Sequence, residues 1–278
     1  MDYLLRDDAP FSDELWEKID KEVVKIASQQ LIGRRILNIY GPLGAGVQSI
    51  QLDEFNYDEE GKIDLFGDSE TTEISPSNRK FVAIPMIYKD LSISWRDVEN
   101  SRQMDLPLDL SSVSAAATVC AKKEDYLIFN GSGDLEYPGL LNVEGRQIIE
   151  KSDWNKGDNP FNDIAKGMEK LIQKGIYGPY ALVTSTDLYT QMQRLQDGTG
   201  VLEIERIKEL INGHVYTSPV IPANKAILVS IAPQNMDLVI GQDMVTAYIG
   251  PEELNHKMRI LETVLLRIKR AESIVTFE

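Results

Sequence analysis

The chain has few of the residues that most often carry catalysis or bind metals. Its 278 residues include one cysteine, Cys120, and two histidines, His214 and His256. A single cysteine forms no intrachain disulfide, which favours a reducing compartment and a cytoplasmic location. Neither histidine has a partner at metal-ligand spacing, so a catalytic metal site is not expected. Cys120 lies among small apolar residues, which predicts a buried and unreactive thiol.

The chain also lacks an excess of positive charge and any long apolar run. It has 29 Lys and Arg against 44 Asp and Glu, which gives a formal net charge of −15. Proteins that bind nucleic acid neutralise phosphates with clustered Lys and Arg, so this balance argues against a nucleic-acid partner. No apolar run approaches the roughly 20 residues that span a bilayer, and the acidic N-terminus does not resemble a signal peptide, so no membrane partner is expected.

Residues 12–33 predict an amphipathic helix. Ser12 is a favourable N-cap, and Asp13 and Glu14 follow it where negative charge stabilises the start of a helix. Apolar residues then recur at helical spacing as far as Leu31, and Gly33 is expected to end the helix. The apolar stripe must pack on the body of the protein or on a neighbouring subunit, and the sequence leaves both possibilities open.

Residues 51–79 form an acidic segment with few large apolar residues and many turn formers, so this segment cannot build a core of its own. Its flanks have strand-like patterns, and either a disordered loop or a long extended hairpin is therefore expected. Beyond it, apolar residues at odd positions predict the buried face of one continuous strand: Phe81, Ala83, Ile87, Leu91, Ile93 and Trp95.

The rest of the chain alternates helices and strands without a regular βαβ order, which indicates an α+β fold. Helical spacing predicts helices at 111–130, at about 160–174 and at 202–212. A buried strand is predicted within GIYGPYALVTS, and further strands are predicted in AILVSI, MDLVIGQDM and RILETVLLRIKRAESIVTF.

No motif for phosphate binding or nucleophilic catalysis is present. The glycines of YGPLGAGVQS lack the spacing of a phosphate-binding loop or a dinucleotide fingerprint, and they are better explained by a turn at Pro42. No Ser, His and Asp constellation can be assembled either. A catalytic carboxylate pair of the glycosidase type stays open, because 44 acids offer many pairs and none stands out.

Five segments together resemble the family 1 encapsulin shell proteins, once described as linocin-like bacteriocins. The segments are QQLIGRRILNIYGPLG, IPMIYKDLSISWRDVENSR, EDYLIFNGSGDLEYPGLLN, GPYALVTSTDLYTQM and LVIGQDMVTAYIG. The resemblance spans nearly the whole chain and implies an α+β fold of the Hong Kong 97 phage major capsid type. It also implies a structural, non-enzymatic role, in which many copies close into an icosahedral compartment around a cargo enzyme. The implied purpose is iron mineralisation and storage or defence against oxidative stress.

The resemblance further implies how the chain is divided. Residues 1–50 would hold the N-terminal helix and lead into the peripheral domain, and residues 51–80 would form an extended loop over a neighbouring subunit. Residues 81–143 would form the peripheral domain with its spine helix. Residues 144–222 would form the axial domain that meets its symmetry mates, and residues 223–278 would return to the peripheral domain as strands.

A site for the C-terminal targeting peptide of a cargo protein is also implied, between the N-terminal helix and the peripheral domain. An extended apolar peptide needs hydrophobic pockets and a few polar groups that fix its direction. Alternatively, Leu31 and Ile240 are ordinary core residues and Arg34 pairs with an acid. The residues at matching positions are Leu31, Arg34, Ile36, Asn38, Asp237, Val239, Ile240 and Asp243.

The turn QDGTG is the implied pore loop, and its residues are Gln196, Asp197, Gly198, Thr199 and Gly200. Glycines there permit a tight backbone. An acidic pore raises the local concentration of cations, so Asp197 is the residue expected to favour iron uptake.

Cofactors and shell size follow only from the resemblance. Trp95 matches a tryptophan that contributes to flavin binding in some encapsulins, with interface packing as the alternative. The shell itself is expected to require no cofactor, because iron would be handled by the cargo. The chain length and the YGPLG linker resemble members that form larger shells, which implies a T=4 shell around a ferritin-like, iron-mineralising cargo.

Two other functions stay open at this point. A stand-alone hydrolase or bacteriocin is suggested by the early family name, but the sequence offers no identifiable nucleophile and base. A prophage capsid protein that packages DNA would share the fold, but the acidic charge argues against it.

Overall fold

The structure is a computed structural model that describes residues 3–57, 59–196, 198 and 200–278. Its helices are α1 (Asp13–Gln30), α2 (Gly33–Ile36), α3 (Trp95–Met104), α4 (Ser111–Asn130), α5 (Asn159–Gln173), α6 (Thr186–Gln191) and α7 (Glu203–Ile211). Its strands are β1 (Ile39–Tyr40), β2 (Ser49–Glu54), β3 (Asn78–Ala83), β4 (Met86–Ile93), β5 (Gln147–Ile149), β6 (Tyr180–Thr184), β7 (His214–Thr217), β8 (Ala226–Ser230), β9 (Met236–Glu252), β10 (Asn255–Ile268) and β11 (Ile274–Phe277).

Helix α1 begins where the sequence predicts, because the Ser12 side chain accepts a hydrogen bond from the Leu15 N–H. Its buried face, which includes Trp16, Ile19 and Val23, packs on α4 and β9 of the same chain. The helix ends at Gln30, earlier than the predicted stop at Gly33, and Gly33 instead begins α2. Of the two possibilities left open by the sequence, docking on the body of the protein is the one observed.

A four-stranded sheet with the order β1-β9-β10-β4 carries the first part of the core. The β1–β9 pair is parallel and the other pairs are antiparallel. Helices α1 and α4 pack on this sheet, and α4 buries small residues such as Ala116 and Ala117, which allows close helix packing. Cys120 is buried in this layer, and burial raises the pKa of its thiol to about 12, as the prediction of an unreactive thiol requires. Among the described residues, no helix combines the length and apolarity needed to cross a membrane.

A five-stranded sheet with the order β5-β11-β8-β6-β7 carries the second part of the core. Its strands pack against α5 and α7 around fully buried side chains such as Trp154, Leu182 and Phe277. The predicted boundary at residue 223 divides this sheet, because β8 and β11 both pair within it rather than in the four-stranded sheet. Strand pairing is a contact between segments distant in sequence, which periodicity alone does not reveal.

Strands β2 and β3 form a separate two-stranded hairpin, and residues 55–77 connect them; we call this connection the hairpin loop. The extended hairpin expected from the sequence is therefore present. The prediction of one continuous strand from Phe81 to Trp95 is wrong, because this segment forms two separate strands, β3 and β4. Pro85 separates β3 from β4, since proline has no N–H to donate to a sheet. Phe81 is consequently exposed on the hairpin, and Trp95 is the first residue of α3.

Candidate functional site

A groove of about 290 Å³ lies between α1 and the middle of β9. The groove has apolar residues along its length and polar residues at one side. Val24 is an exposed apolar residue on α1 and lines the groove together with Val23 and Ala27 of the same helix. The groove is lined by Val23, Val24, Ala27, Ser28, Leu31, Arg34, Arg35, Asp243 and Met244.

Arg34 forms the polar side of the groove and binds three carboxylates, and we call these four residues the Arg34 cluster. Its Nε donates to Glu124 Oε1 at 2.8 Å, and its Nη2 donates to Glu124 Oε2 at 2.8 Å and to Glu262 Oε2 at 2.9 Å. Its Nη1 donates to Asp243 Oδ1 at 2.6 Å. Glu124 and Glu262 are fully buried, whereas Asp243 is exposed at the rim. The guanidinium is thus occupied by the protein itself and holds Asp243 in place.

The electrostatics of the cluster follow from burial and charge. Burial opposes the charge of Arg34, but its hydrogen bonds and its attraction to Glu124 prevail and raise the pKa of Arg34. Burial, reinforced by the negative charge of Glu124, raises the pKa of Glu262 well above its usual value. Within the described part of the chain, no group of three or more His, Cys, Asp or Glu side chains could hold a metal ion.

Asp125 fixes the turn that presents Arg34. Its carboxylate accepts hydrogen bonds from the Ile32 N–H at 3.0 Å and from the Gly33 N–H at 2.9 Å, which are the free amides at the start of α2. Burial raises the pKa of Asp125 to about 6, and the two amide hydrogen bonds oppose this increase. A side chain at Gly33 would have its Cβ 2.4 Å from the Ile128 Cδ1, so glycine permits the close approach of α2 to α4.

The structure brings Leu31, Arg34 and Asp243 together in the groove, although Arg34 and Asp243 are 209 residues apart in sequence. Ile36 and Ile240 are buried in the core on the same side of the sheet. Ile240 is thus a core residue and Arg34 pairs with acids, as in the alternative explanation given in the sequence analysis.

The remaining predicted docking residues lie elsewhere. Val239 is buried on the opposite face of β9, against the base of the hairpin. Asp237 binds Arg267 through both oxygens, and the Asn38 amide donates to the Ile231 carbonyl. None of these three residues lines the groove.

Sequence reasoning missed several residues of this site. Glu262 interrupts an apolar run, and a charged residue in such a run signals a buried pair or a site. Glu124 and Asp125 follow two lysines in the charged stretch KKED and gave no such signal. Met244 gave no signal in the sequence.

The predicted pore loop is described only in part, because Asp197 and Thr199 lie outside the described residues. Leu195 and Leu202 form an antiparallel bridge at the base of the loop, and the Gln196 side chain donates to Asp158. Gly198 and Gly200 have φ values of +78° and +68°, a conformation that favours glycine.

Trp95 borders a separate cavity of about 400 Å³. Its indole is partly exposed, and Arg102 and His256 complete the polar lining. Arg102 is already engaged by Glu99 and by the Pro10 carbonyl. The exposed indole of Trp95 could stack on a flavin ring. The hydrogen bonds of Arg102 to Glu99 and Pro10, however, leave this arginine already bound by the protein itself.

Comparison with known proteins identifies the family of the chain. Residues 1–265 match the family described as "Encapsulating protein for peroxidase" (Linocin_M18). The type 1 encapsulin shell protein EncA of Myxococcus xanthus is 43% identical over 277 residues, which cover 100% of this chain and 96% of that protein. The chain belongs to the family of encapsulin shell proteins. The function of this family is structural, the formation of a protein shell around cargo.

Two further encapsulin relatives are fusion proteins. A diheme-cytochrome-encapsulin shell fusion protein of Kuenenia stuttgartiensis is 40% identical over 95% of this chain and 73% of its own length. A ferritin-like-encapsulin shell fusion protein of Pyrococcus furiosus is 24% identical over 72% of this chain and 54% of its own length.

Solved structures confirm the predicted encapsulin fold. The virus-like particle from Pyrococcus furiosus superposes with a TM-score of 0.77 at 21% identity, covering 95% of this chain and 100% of that one. The capsid of Myoviridae phage XM1 superposes with a TM-score of 0.65 at 14% identity, covering 88% and 90%. The fold is therefore the one shared by encapsulin shells and Hong Kong 97-type phage capsids.

Proposed function

We propose that this encapsulin subunit closes into an icosahedral T=4 shell in the cytoplasm, and that the shell itself carries out no catalysis. The hairpin loop is the observation that carries the proposal. Ile63, Leu65 and Phe66 are 101%, 93% and 86% exposed, and they lie at a turn in which Asp64 accepts hydrogen bonds from the Phe66 and Ser69 N–H groups. Exposed apolar side chains grouped at the end of a hairpin are typical of a surface that a partner covers. A second copy of the chain is the partner that a shell supplies.

Electron microscopy of the purified chain tests this proposal. We expect closed spherical particles of one diameter, and that diameter checks the T=4 prediction. Dispersed subunits under several salt conditions would overturn the shell and return the hydrolase hypothesis to first place. Particles that carry nucleic acid resistant to nuclease would instead indicate DNA packaging, against which the formal charge of −15 argues.

We further propose that the groove beside α1 docks the C-terminal tail of a cargo protein. Leu31, Val24 and Met244 offer apolar contacts for an extended peptide, and Asp243 offers a carboxylate at the rim for a basic side chain. A suitable probe is a dye-labelled peptide, Gly-Ser-Leu-Gly-Leu-Gly-Lys-Lys. Its alternating leucines project to one side of an extended chain, and its lysines can reach Asp243.

Replacing Val24 by aspartate is expected to weaken binding of this peptide at least about tenfold, because a charge would replace about 1–2 kcal/mol of apolar contact. Val24 is exposed, so the subunit should fold and assemble as before. Fluorescence anisotropy on purified shells measures the affinity.

Gln29→Asp is the matched control, since Gln29 is an exposed α1 residue outside the groove and its replacement adds the same charge. The control is expected to bind the peptide like the wild type. Equal binding by Val24→Asp shells would contradict docking in this groove.

We also propose that the cargo mineralises iron, with iron as the substrate of the cargo rather than a cofactor of the shell. The ferritin-like domain fused to an encapsulin in Pyrococcus furiosus supports this assignment. The diheme-cytochrome fusion supports a redox cargo more generally. Iron uptake through Asp197 and flavin binding at Trp95 stay predictions.

A further inference from the structure

The Arg34 cluster contains more acid than its single cation can balance. Arg34 faces Glu124, Glu262 and Asp243, and two of these carboxyls are fully buried. Oε2 of Glu262 accepts from Arg34, while Oε1 is buried and has no hydrogen-bond partner. Such an atom in an otherwise well-bonded cluster requires an explanation.

A shared proton explains this arrangement. Glu124 Oε2 and Glu262 Oε2 both accept from Arg34 Nη2, at 2.8 and 2.9 Å, so the two buried carboxyls lie side by side on one nitrogen. Like charges in a buried pair cannot both ionise without a large cost, so one proton stays on the pair as a whole. With that proton in place, Arg34 balances one buried charge and can still hold Asp243.

We propose that Glu124 and Glu262 share one proton and act as positioning residues for Arg34, and through it for Asp243, so that capture of the cargo tail depends on that proton. This inference rests on the proposed docking groove. Loss of the proton leaves two negative charges on one guanidinium. Arg34 is then drawn toward the buried pair and releases Asp243, whose contact at 2.6 Å fixes the polar rim of the groove.

The surroundings of the pair determine how it titrates. Arg34 faces it from α2, Asp125 and Cys120 from α4, and Asp243 from β9, with Lys89 on the neighbouring strand β4. Arg35 donates instead to the Ser28 and Gln29 carbonyls. Asp125 is the other acid at this junction whose pKa burial raises, to about 6. Its titration ends near neutral pH, so a change at higher pH isolates the Glu124 and Glu262 pair.

The sign of the effect follows from these directions. The pKa of Glu262 is raised in the folded chain, so the native state binds more protons than the unfolded state above the usual value of 4.5. Stability of the junction is therefore fully present at low pH and is lost as pH rises through the folded value. Docking of the peptide is expected to weaken in the same direction.

Glu262→Gln provides the test, because glutamine keeps an oxygen for Arg34 and an N–H for Glu124 and so mimics the protonated pair permanently. Binding of the dye-labelled peptide is measured on intact shells between about pH 6 and pH 9. Wild-type affinity is expected to fall about tenfold for each unit by which docking shifts the pKa of the pair. The affinity of Glu262→Gln is expected to change less than about twofold over that range.

Glu17→Gln is the control, since it neutralises an exposed α1 carboxyl that lies outside the groove and does not touch Arg34. It should keep the wild-type pH dependence above neutral pH. A pH-independent wild type, or a Glu262→Gln shell with the wild-type slope, would overturn the shared proton as a control of docking.

Amide hydrogen exchange at residues 28–37, corrected for its intrinsic pH dependence, separates this inference from the docking proposal. Exchange that accelerates with pH in the wild type and not in Glu262→Gln supports the shared proton independently of any peptide. Absence of peptide binding at every pH would overturn docking and its proton dependence together, and exchange would still decide whether the proton tightens the junction.

Discussion

A chain with both Leu65 and Phe66 replaced by aspartate is expected to fold as a subunit but to form no shells. Each side chain is almost fully exposed in the subunit, so its replacement removes no contact within the chain. Burial of each against a second copy would contribute about 1.5–3 kcal/mol, and the substitution loses both contributions at every interface of the shell. Circular dichroism measures the fold, and electron microscopy with sedimentation measures assembly.

Lys62→Asp is the control for charge, because it changes the net charge by the same amount at a neighbouring exposed position. Lys62→Asp shells should assemble. If they fail as completely as the double variant does, charge and not apolar contact governs the loop. Normal shells from the double variant would refute the role assigned to the hairpin loop.

The turn that presents these side chains is built locally. Asp64 accepts hydrogen bonds from the Phe66 N–H at 2.9 Å and the Ser69 N–H at 3.1 Å, and also from the Gly67 N–H. Hydrogen bonds from Ser69 and Gly67 lower the pKa of Asp64 to about 2, so the turn persists in mild acid. The hairpin loop is therefore prepared for contact before assembly, which reduces the entropy lost on binding.

The helices could be predicted from the sequence because their signals are local. Ser12 as N-cap and the apolar spacing of α1 and α4 depend on residues within a few turns of each other. The course of the strands could not be predicted so well. Pro85 breaks the alternation between β3 and β4, and the pairing of β8 with β11 joins segments more than forty residues apart.

The candidate site was only partly predictable for the same reason. The family resemblance, and not periodicity, identified Leu31, Arg34 and Asp243. Glu124 and Glu262 belong to elements far apart in sequence, and only tertiary packing shows that they meet one arginine. For Glu262, a charged residue inside an apolar run was the available signal, and it indicates a buried partner without identifying that partner.

Asp237→Asn is expected to destabilise the subunit by about 3–5 kcal/mol, because it leaves the largely buried Arg267, and also Lys269, without their shared carboxylate. Arg267 donates to Asp237 at 2.9 and 2.7 Å, and the two side chains are 13% and 5% exposed. Arg267 also donates to the Gln51 carbonyl at 3.1 Å and so ties the base of the hairpin to the sheet. Urea unfolding in the assembly-deficient background measures the free energy of unfolding without the contribution of the shell.

Asp90→Asn is a closely matched control. Arg259 donates to Asp90 at 2.6 and 3.0 Å, but these side chains are 34% and 37% exposed. Both arginines also lie over a tyrosine ring, at 4.7 Å for Arg267 and 4.2 Å for Arg259. The two pairs differ in burial and in a second cation, because Lys269 Nζ also lies 2.6 Å from Asp237 Oδ2. Asp90→Asn should therefore cost at most about 1 kcal/mol. Equal losses of unfolding free energy for the two variants would contradict this prediction, because they would show that the buried Asp237 pair is no stronger than the exposed Asp90 pair.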